Sequence, residues 1–141
     1  MLRPRFFVSL LTVTLAASAA SAEDIASPDN RVVVHVEKSE TGAPRYSIRY
    51  DGRVLLAPSP LGLDTVDASL SGDLRMLRLS APQPVNDDYQ LFHGKRSACH
   101  YRANRAVLEC GTERGEKLNV TFQVSNDGVA FRYEIPPTGE S

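Results

Sequence analysis

Tryptophan is absent from the 141 residues, and cysteine and histidine are scarce, at two and three copies. Without tryptophan the chain lacks the largest flat apolar ring that a sugar-binding surface can stack on a pyranose. With so few thiols and imidazoles it cannot repeat the paired Cys/His clusters of a structural zinc site. No excess of positive charge is present either. The 16 Lys and Arg face 17 Asp and Glu, for a net charge of −1, whereas nucleic-acid binders show a basic surface. The longest apolar stretch, Phe6–Ala17, has 12 residues, too few for the ~20 that cross a bilayer as a helix. Glycine-rich phosphate loops and CxxC pairs are missing. Beyond the first 22 residues no window of 11 or more keeps a 3.6-residue apolar period, so no substantial helix is expected.

The first 22 residues read as an export signal. Arg3 and Arg5 give a basic start, the apolar stretch follows, and Ala20-Ser21-Ala22 supplies the small residues of a cleavage site. Cleavage between Ala22 and Glu23 places the product in the periplasm or outside the cell. Removing 22 of 141 residues leaves 119, and removing two arginines leaves 14 basic against 17 acidic residues, a net of −3. That length holds one ordinary domain and falls well short of the ~250 residues of a (β/α)8 barrel.

What is present is strand after strand. Val32–Val36 is rich in β-branched residues. Tyr46, Ile48 and Tyr50 alternate with Ser47 and Arg49, and Asp51-Gly52 then separates them from Val54-Leu55-Leu56. Asp-Gly between two such runs is a hairpin signal, because a type I′ turn needs positive φ at both central residues. Leu118, Val120, Phe122 and Val124 share one parity, as do Val129, Phe131, Tyr133 and Ile135 after Asn126-Asp127-Gly128. These form a second hairpin with one buried face per strand. Leu74, Met76, Leu77 and Leu79 change parity midway, which points to a β-bulge or to a strand apolar on both faces. Pro58, Pro60, Pro82 and Pro84 are read as breakers between runs. The expected fold is all-β, an antiparallel β-sandwich spanning residues 23–136 with a tail at 137–141. The last strong strand ends six residues before Ser141 with no closing element after it. Either this is a small sandwich with a loose tail, or the chain stops partway through a larger β domain.

Cys99 and Cys110 would face each other if Asn104-Arg105 were a hairpin tip. Directly opposed Cβ atoms lie ~4.5–5.5 Å apart, slightly beyond the roughly 3.5–4.5 Å of a disulfide. A Cys99–Cys110 disulfide and two separate core thiols therefore both stand as readings.

Few residues offer chemistry. Asp87 and Asp88 are adjacent carboxylates, but glycoside hydrolysis needs a carboxyl pair that flanks the bond at ~5–9.5 Å. Neighbours on a strand point apart, and turn chemistry accounts for them. No catalytic residue is assigned. Ser59 and Ser97 have no neighbouring base in sequence. His35 and His100 fit within strands, while His93 precedes the polar stretch Gly94-Lys95-Arg96-Ser97. Tyr46, Tyr50, Phe122, Phe131 and Tyr133 fall at core-facing parity, which leaves Tyr89 and Tyr101 as surface aromatics. The ligand-binding candidates are thus His93, Lys95, Arg96, Tyr89 and Tyr101. No metal ligands are assigned.

Five blocks occur in a recognisable order: Ser27-Pro28-Asp29; Pro44-Arg45-Tyr46-Ser47-Ile48; Pro58-Ser59-Pro60-Leu61-Gly62-Leu63; Asp88-Tyr89 with Gly94-Lys95-Arg96-Ser97; and Asn126-Asp127-Gly128-Val129-Ala130-Phe131-Arg132-Tyr133. In this the chain resembles the N-terminal domain of glycoside hydrolase family 97, exported bacterial enzymes acting on α-glucosides or α-galactosides. The resemblance runs from about Ser27 to Pro136. It implies part of a β-super-sandwich, like that of galactose mutarotase, normally followed by a (β/α)8 barrel that carries the catalytic carboxylates. In that family a calcium ion sits near the substrate, held mostly by barrel glutamates. No cofactor is therefore expected in this chain, and calcium only in full-length relatives. The expected role is a non-catalytic domain whose partner is the missing barrel. The alternatives are a free-standing periplasmic carbohydrate-binding module and a small sandwich acting through strand-edge protein contacts.

Overall fold

The structure is a computed structural model and describes residues 23–66, 69–90 and 98–137. Among them there are nine strands and no helix: β1 Glu23–Ala26, β2 Val32–Lys38, β3 Pro44–Tyr50, β4 Arg53–Pro60, β5 Arg75–Leu79, β6 Gln83–Gln90, β7 Ala98–Gly111, β8 Lys117–Ser125 and β9 Gly128–Glu134. The first sheet is an antiparallel meander, β1-β2-β3-β4. In the second, β7, β8 and β9 are antiparallel neighbours, and β5 and β6 both pair with β7 at different points along its length.

Alternation decides which faces meet. Val32, Val34 and Val36 are buried while Val33, His35 and Glu37 are only partly so. On β8 the whole inner set, Leu118, Val120, Phe122 and Val124, is inaccessible. These two faces, with Ile25, Ala106, Leu108 and Cys110, form the core. Its apolar area is the main stabilising term, at about 25 cal/mol per Å² removed from water.

Turn chemistry fixes the hairpins. Asp51 (φ 47°) and Gly52 (φ 77°) supply the two positive angles of the β3–β4 turn. Asp51 also receives the Arg31 guanidinium, with Nη2 to Oδ2 at 2.8 Å, and Arg31 lies 4.7 Å from the centre of the Tyr50 ring. Between β1 and β2, Ser27 Oγ donates to Asp29 Oδ1 at 2.6 Å and accepts from the Val32 amide. The parity change at Met76/Leu77 is a bulge: the register shifts between Met76 and Arg78, leaving Met76 and Leu79 buried and Leu77 exposed.

The Leu-Gly-Leu stretch plugs the sandwich. Leu61, Leu70 and Leu74 are buried, and the Leu70 amide bonds the Leu63 carbonyl at 2.8 Å. A Cβ at Gly62 would sit 2.8 Å from Cα and Cβ of Ser71. Glycine is thus required for close backbone approach. Sheet-to-sheet ties complete the body: Asn104 Nδ2 donates to the Ala26 carbonyl at 2.8 Å, and the Asp29 amide to Asn126 Oδ1 at 3.1 Å.

Three expectations are corrected. Asn104-Arg105 is not a hairpin tip but the middle of the 14-residue β7. Cys99 and Cys110 lie on that one strand, 11 residues and roughly 36 Å apart at ~3.3 Å per residue, so they cannot bridge, and both thiols are free. Pro58 and Pro60 lie within β4 and Pro84 within β6, not between strands. Both strands are edges, where a missing N–H can face away from the ladder. Finally, Phe131 points inward yet is 41% exposed, because the sandwich is open beside it.

Candidate functional site

The two sheets are offset. β1 packs against β7, and β2 against β8 and β9, so each sheet overhangs the other along one side. Two regions are left uncovered.

One is apolar. β4 lies beyond β9, and Leu55 (68% exposed) and Val54 stand in water. Between β4 and β9 is an open cleft of about 400 Å³ lined by Val32, Ile48, Tyr50, Leu55, Leu56 and Val129 together with the Asn126–Gly128 turn. Further along the same inner face, Tyr46, Phe122, Phe131 and Tyr133 form a chain of ring contacts with centroids 5.5–5.9 Å apart. Such tilted and edge-on rings pack well. Among the described residues, β4 and β9 each keep one unpaired backbone edge in this region.

The other is polar. Residues 103–111 of β7 pair with β8, but residues 98–102 pair with β6 alone. The result is a two-stranded arm. One face carries Asp88, His100 and Arg102: His100 Nδ1 is 2.9 Å and Arg102 Nη1 3.0 Å from Asp88 Oδ1. Those two bonds, His100 first, hold the Asp88 carboxyl below its usual range. The other face carries Asp87, Tyr89, Cys99 and Tyr101, with Tyr89 opposite Cys99 and Asp87 opposite Tyr101. Asp87 and Asp88 thus point to opposite sides and cannot flank one bond.

Of the candidate ligand set, Tyr89 and Tyr101 share that second face. Tyr89 is 46% exposed, and the Tyr101 hydroxyl is held by Gln123 Nε2 at 3.0 Å. His93, Lys95 and Arg96 lie outside the described residues, as do Ser97 and the export-signal segment through Ala22. Glu23 opens β1.

No arrangement for nucleophilic catalysis is assembled from the residues described. His35 and His100 bond carboxylates, Asp24 at 2.6 Å and Asp88 at 2.9 Å, and Ser59 donates to the Ala57 carbonyl of its own strand. The Cys110 thiol is pushed up to about 12 by burial, so it stays protonated and inert. Among the described residues no three His, Cys, Asp or Glu converge on a point where a metal could sit. Sequence reading missed the arm itself, because β6 (Gln-Pro-Val-Asn-Asp-Asp-Tyr-Gln) has no apolar parity to show.

Comparison with known proteins places this geometry. The model of the glycosyl-hydrolase 97 N-terminal family matches residues 25–140. A curated "Probable retaining alpha-galactosidase" of Streptomyces bingchenggensis is 36% identical over 98 residues, covering 68% of this chain and 15% of that protein. Among solved structures, a beta-arabinopyranosidase aligns with TM-score 0.75 at 34% identity, over 83% of this chain and 18% of its own. A family 97 enzyme from Pseudoalteromonas sp. strain K8, solved in complex with acarbose, aligns with TM-score 0.71 at 25% identity, over 81% and 17%. The chain spans less than a fifth of the length of each of these proteins. It belongs to the glycosyl-hydrolase 97 N-terminal family.

Proposed function

We propose that this chain serves as the non-catalytic N-terminal β-sandwich of an exported glycoside hydrolase. On this reading the apolar β4/β9 side packs against polypeptide that carries the (β/α)8 barrel, its carboxylates and its calcium. Residues 1–22 act as the export signal and direct the domain to the periplasm or beyond. The substrate of the whole enzyme is an α-linked sugar, an α-galactoside or α-glucoside.

The carrying observation is the uncovered apolar side. Leu55, Phe131 and the Ile48–Tyr50–Val129 cleft expose, in one place, surface that a soluble sandwich normally covers. Two unpaired strand edges flank it, and such edges are ready templates for further strands. The length of the relatives supports the same reading, since more than four fifths of each lies outside the matched span.

Hydrolysis of aryl α-galactoside and α-glucoside by the purified chain tests this. The expected result is no turnover above the uncatalysed rate at any chain concentration. Turnover proportional to chain concentration, and lost on substitution of Asp88 or His100, would sink the proposal.

A further inference from the structure

The outer face of the second sheet carries a groove that the domain role leaves unused. Its floor is Thr121 and Gln123 of β8, its walls Arg105 of β7 and Arg132 of β9, and its volume is about 210 Å³. The register sets Arg105, Gln123 and Ala130 in one row across three strands, with Thr121 and Arg132 in the row beside it. Two strand spacings of ~4.8 Å across and two residues of ~3.3 Å along the strand put the Cα atoms of the two walls ~12 Å apart. Ala130, with a single side-chain carbon, keeps the row between them open.

The charge here is unbalanced. Arg31, Arg78 and Arg102 each have a carboxylate partner in Asp51, Glu109 and Asp88. The Arg105 side chain, by contrast, makes no ion pair or hydrogen bond among the described residues. Arg132 has only Glu134 at 3.6 Å, beyond hydrogen-bond distance. No carboxylate lines the groove. Gln123 spends one amide N–H on the Tyr101 hydroxyl at 3.0 Å, which fixes the amide and leaves its carbonyl oxygen as an acceptor. Phe131 also lines the groove, but its ring is turned inward onto Phe122 and Tyr46 and offers no stacking platform.

Two guanidinium forks suit a carboxylate, which they can bind through paired N–H donors. A fixed amide oxygen and the Thr121 hydroxyl suit sugar hydroxyls. We propose that this groove binds an acidic sugar, a hexuronate whose carboxylate is held by Arg105 and Arg132 and whose hydroxyls meet Gln123 and Thr121. The sugar half of this rests on the glycosidase-domain reading; the anion half does not.

The test is NMR titration of the chain, following the Gln123 side-chain amide, with galacturonate, galactose, inorganic phosphate and a tetraglutamate peptide as separate probes. Galacturonate is expected to shift that amide saturably, with galactose at least tenfold weaker and phosphate and tetraglutamate failing to compete at equal concentration. Arg105→Ala and Arg132→Ala are each expected to weaken galacturonate at least tenfold, and Arg105→Lys by less. Both sites are exposed, and an unchanged backbone amide spectrum verifies the fold of each variant. Equal binding of galactose, equal competition by phosphate or tetraglutamate, or no saturable shift would each overturn the proposal. Failure here leaves the domain reading intact. Conversely, hydrolysis by the chain would defeat the domain reading without touching the groove.

Discussion

β4 and the β6–β7 arm are both overhangs, each projecting past the opposite sheet, yet they solve the same geometric problem in opposite ways. The arm turns Asp88, His100, Arg102 and Asn86 toward the uncovered side, and its charges satisfy one another. β4 turns Leu56 the same way, with Ile48 and Tyr50 beside it and Leu55 and Val54 in water. A polar overhang is stable against solvent as it stands. An apolar one exposes surface whose burial would be favourable at about 25 cal/mol per Å². The difference locates the apolar surface whose burial would add most stability: at β4/β9.

The contrast can be broken at the core first. Phe122→Ala, at an inaccessible position between both sheets, is expected to cost about 3–5 kcal/mol, read from the urea midpoint. Phe131→Ala removes the neighbouring ring at the open edge and should cost less than half as much. Equal losses would mean that the β9 side is closed. Gly62→Ala is expected next, at about 1–3 kcal/mol, because its new methyl meets the Ser71 backbone and not a flexible side chain. Leu55→Ser should leave the urea midpoint within about 0.5 kcal/mol while reducing self-association in sedimentation. A clear loss of stability there would show that Leu55 is packed.

The arm has its own signature in pH. Hydrogen bonds from His100 and Arg102 lower the folded-state pKa of Asp88 below its unfolded value. Their stabilisation is therefore present above the unfolded pKa, about 3.9, and is lost as pH falls through the folded one. Asp51 under Arg31 and Glu109 under Arg78 shift the same way. Protection of the arm amides, taken relative to their intrinsic exchange rates at each pH, should thus fall below about pH 4, and Asp88→Asn should flatten that dependence. The smallest effect is chemical: a maleimide should label Cys99, which is partly accessible, and leave Cys110 unlabelled until urea unfolds the chain.

How much of this was legible follows from where apolar residues sit. β2 and β8 have one buried face and β3 and β9 one apolar face that is partly covered, so their parity shows in the sequence, and Asp51-Gly52 marks its own turn. The Leu74–Leu79 bulge also shows, because a parity change has few other causes. β6 does not, because both its faces are wet and its pairing with β7 is carried by backbone. The continuity of β7 through Asn104 is equally hidden, since what holds Asn104 is the Ala26 carbonyl 78 residues away. The resemblance supplied a family but no site: its Leu61-Gly62-Leu63 motif is a plug, and Tyr89 and Tyr101 were brought onto one face only by the unforeseen arm.

The most direct measurement is segment-resolved hydrogen exchange, made on this chain and on the full-length probable retaining alpha-galactosidase of Streptomyces bingchenggensis that matches it over 98 residues. Slow exchange is expected along β7 and β8 in both proteins. Fast exchange is expected at β4 and β9 in the chain, and strong protection of the matching segments in the longer enzyme. Equal exchange at β4 and β9 in the two proteins would contradict this, because the apolar side would then have nothing to gain from the polypeptide beyond this domain.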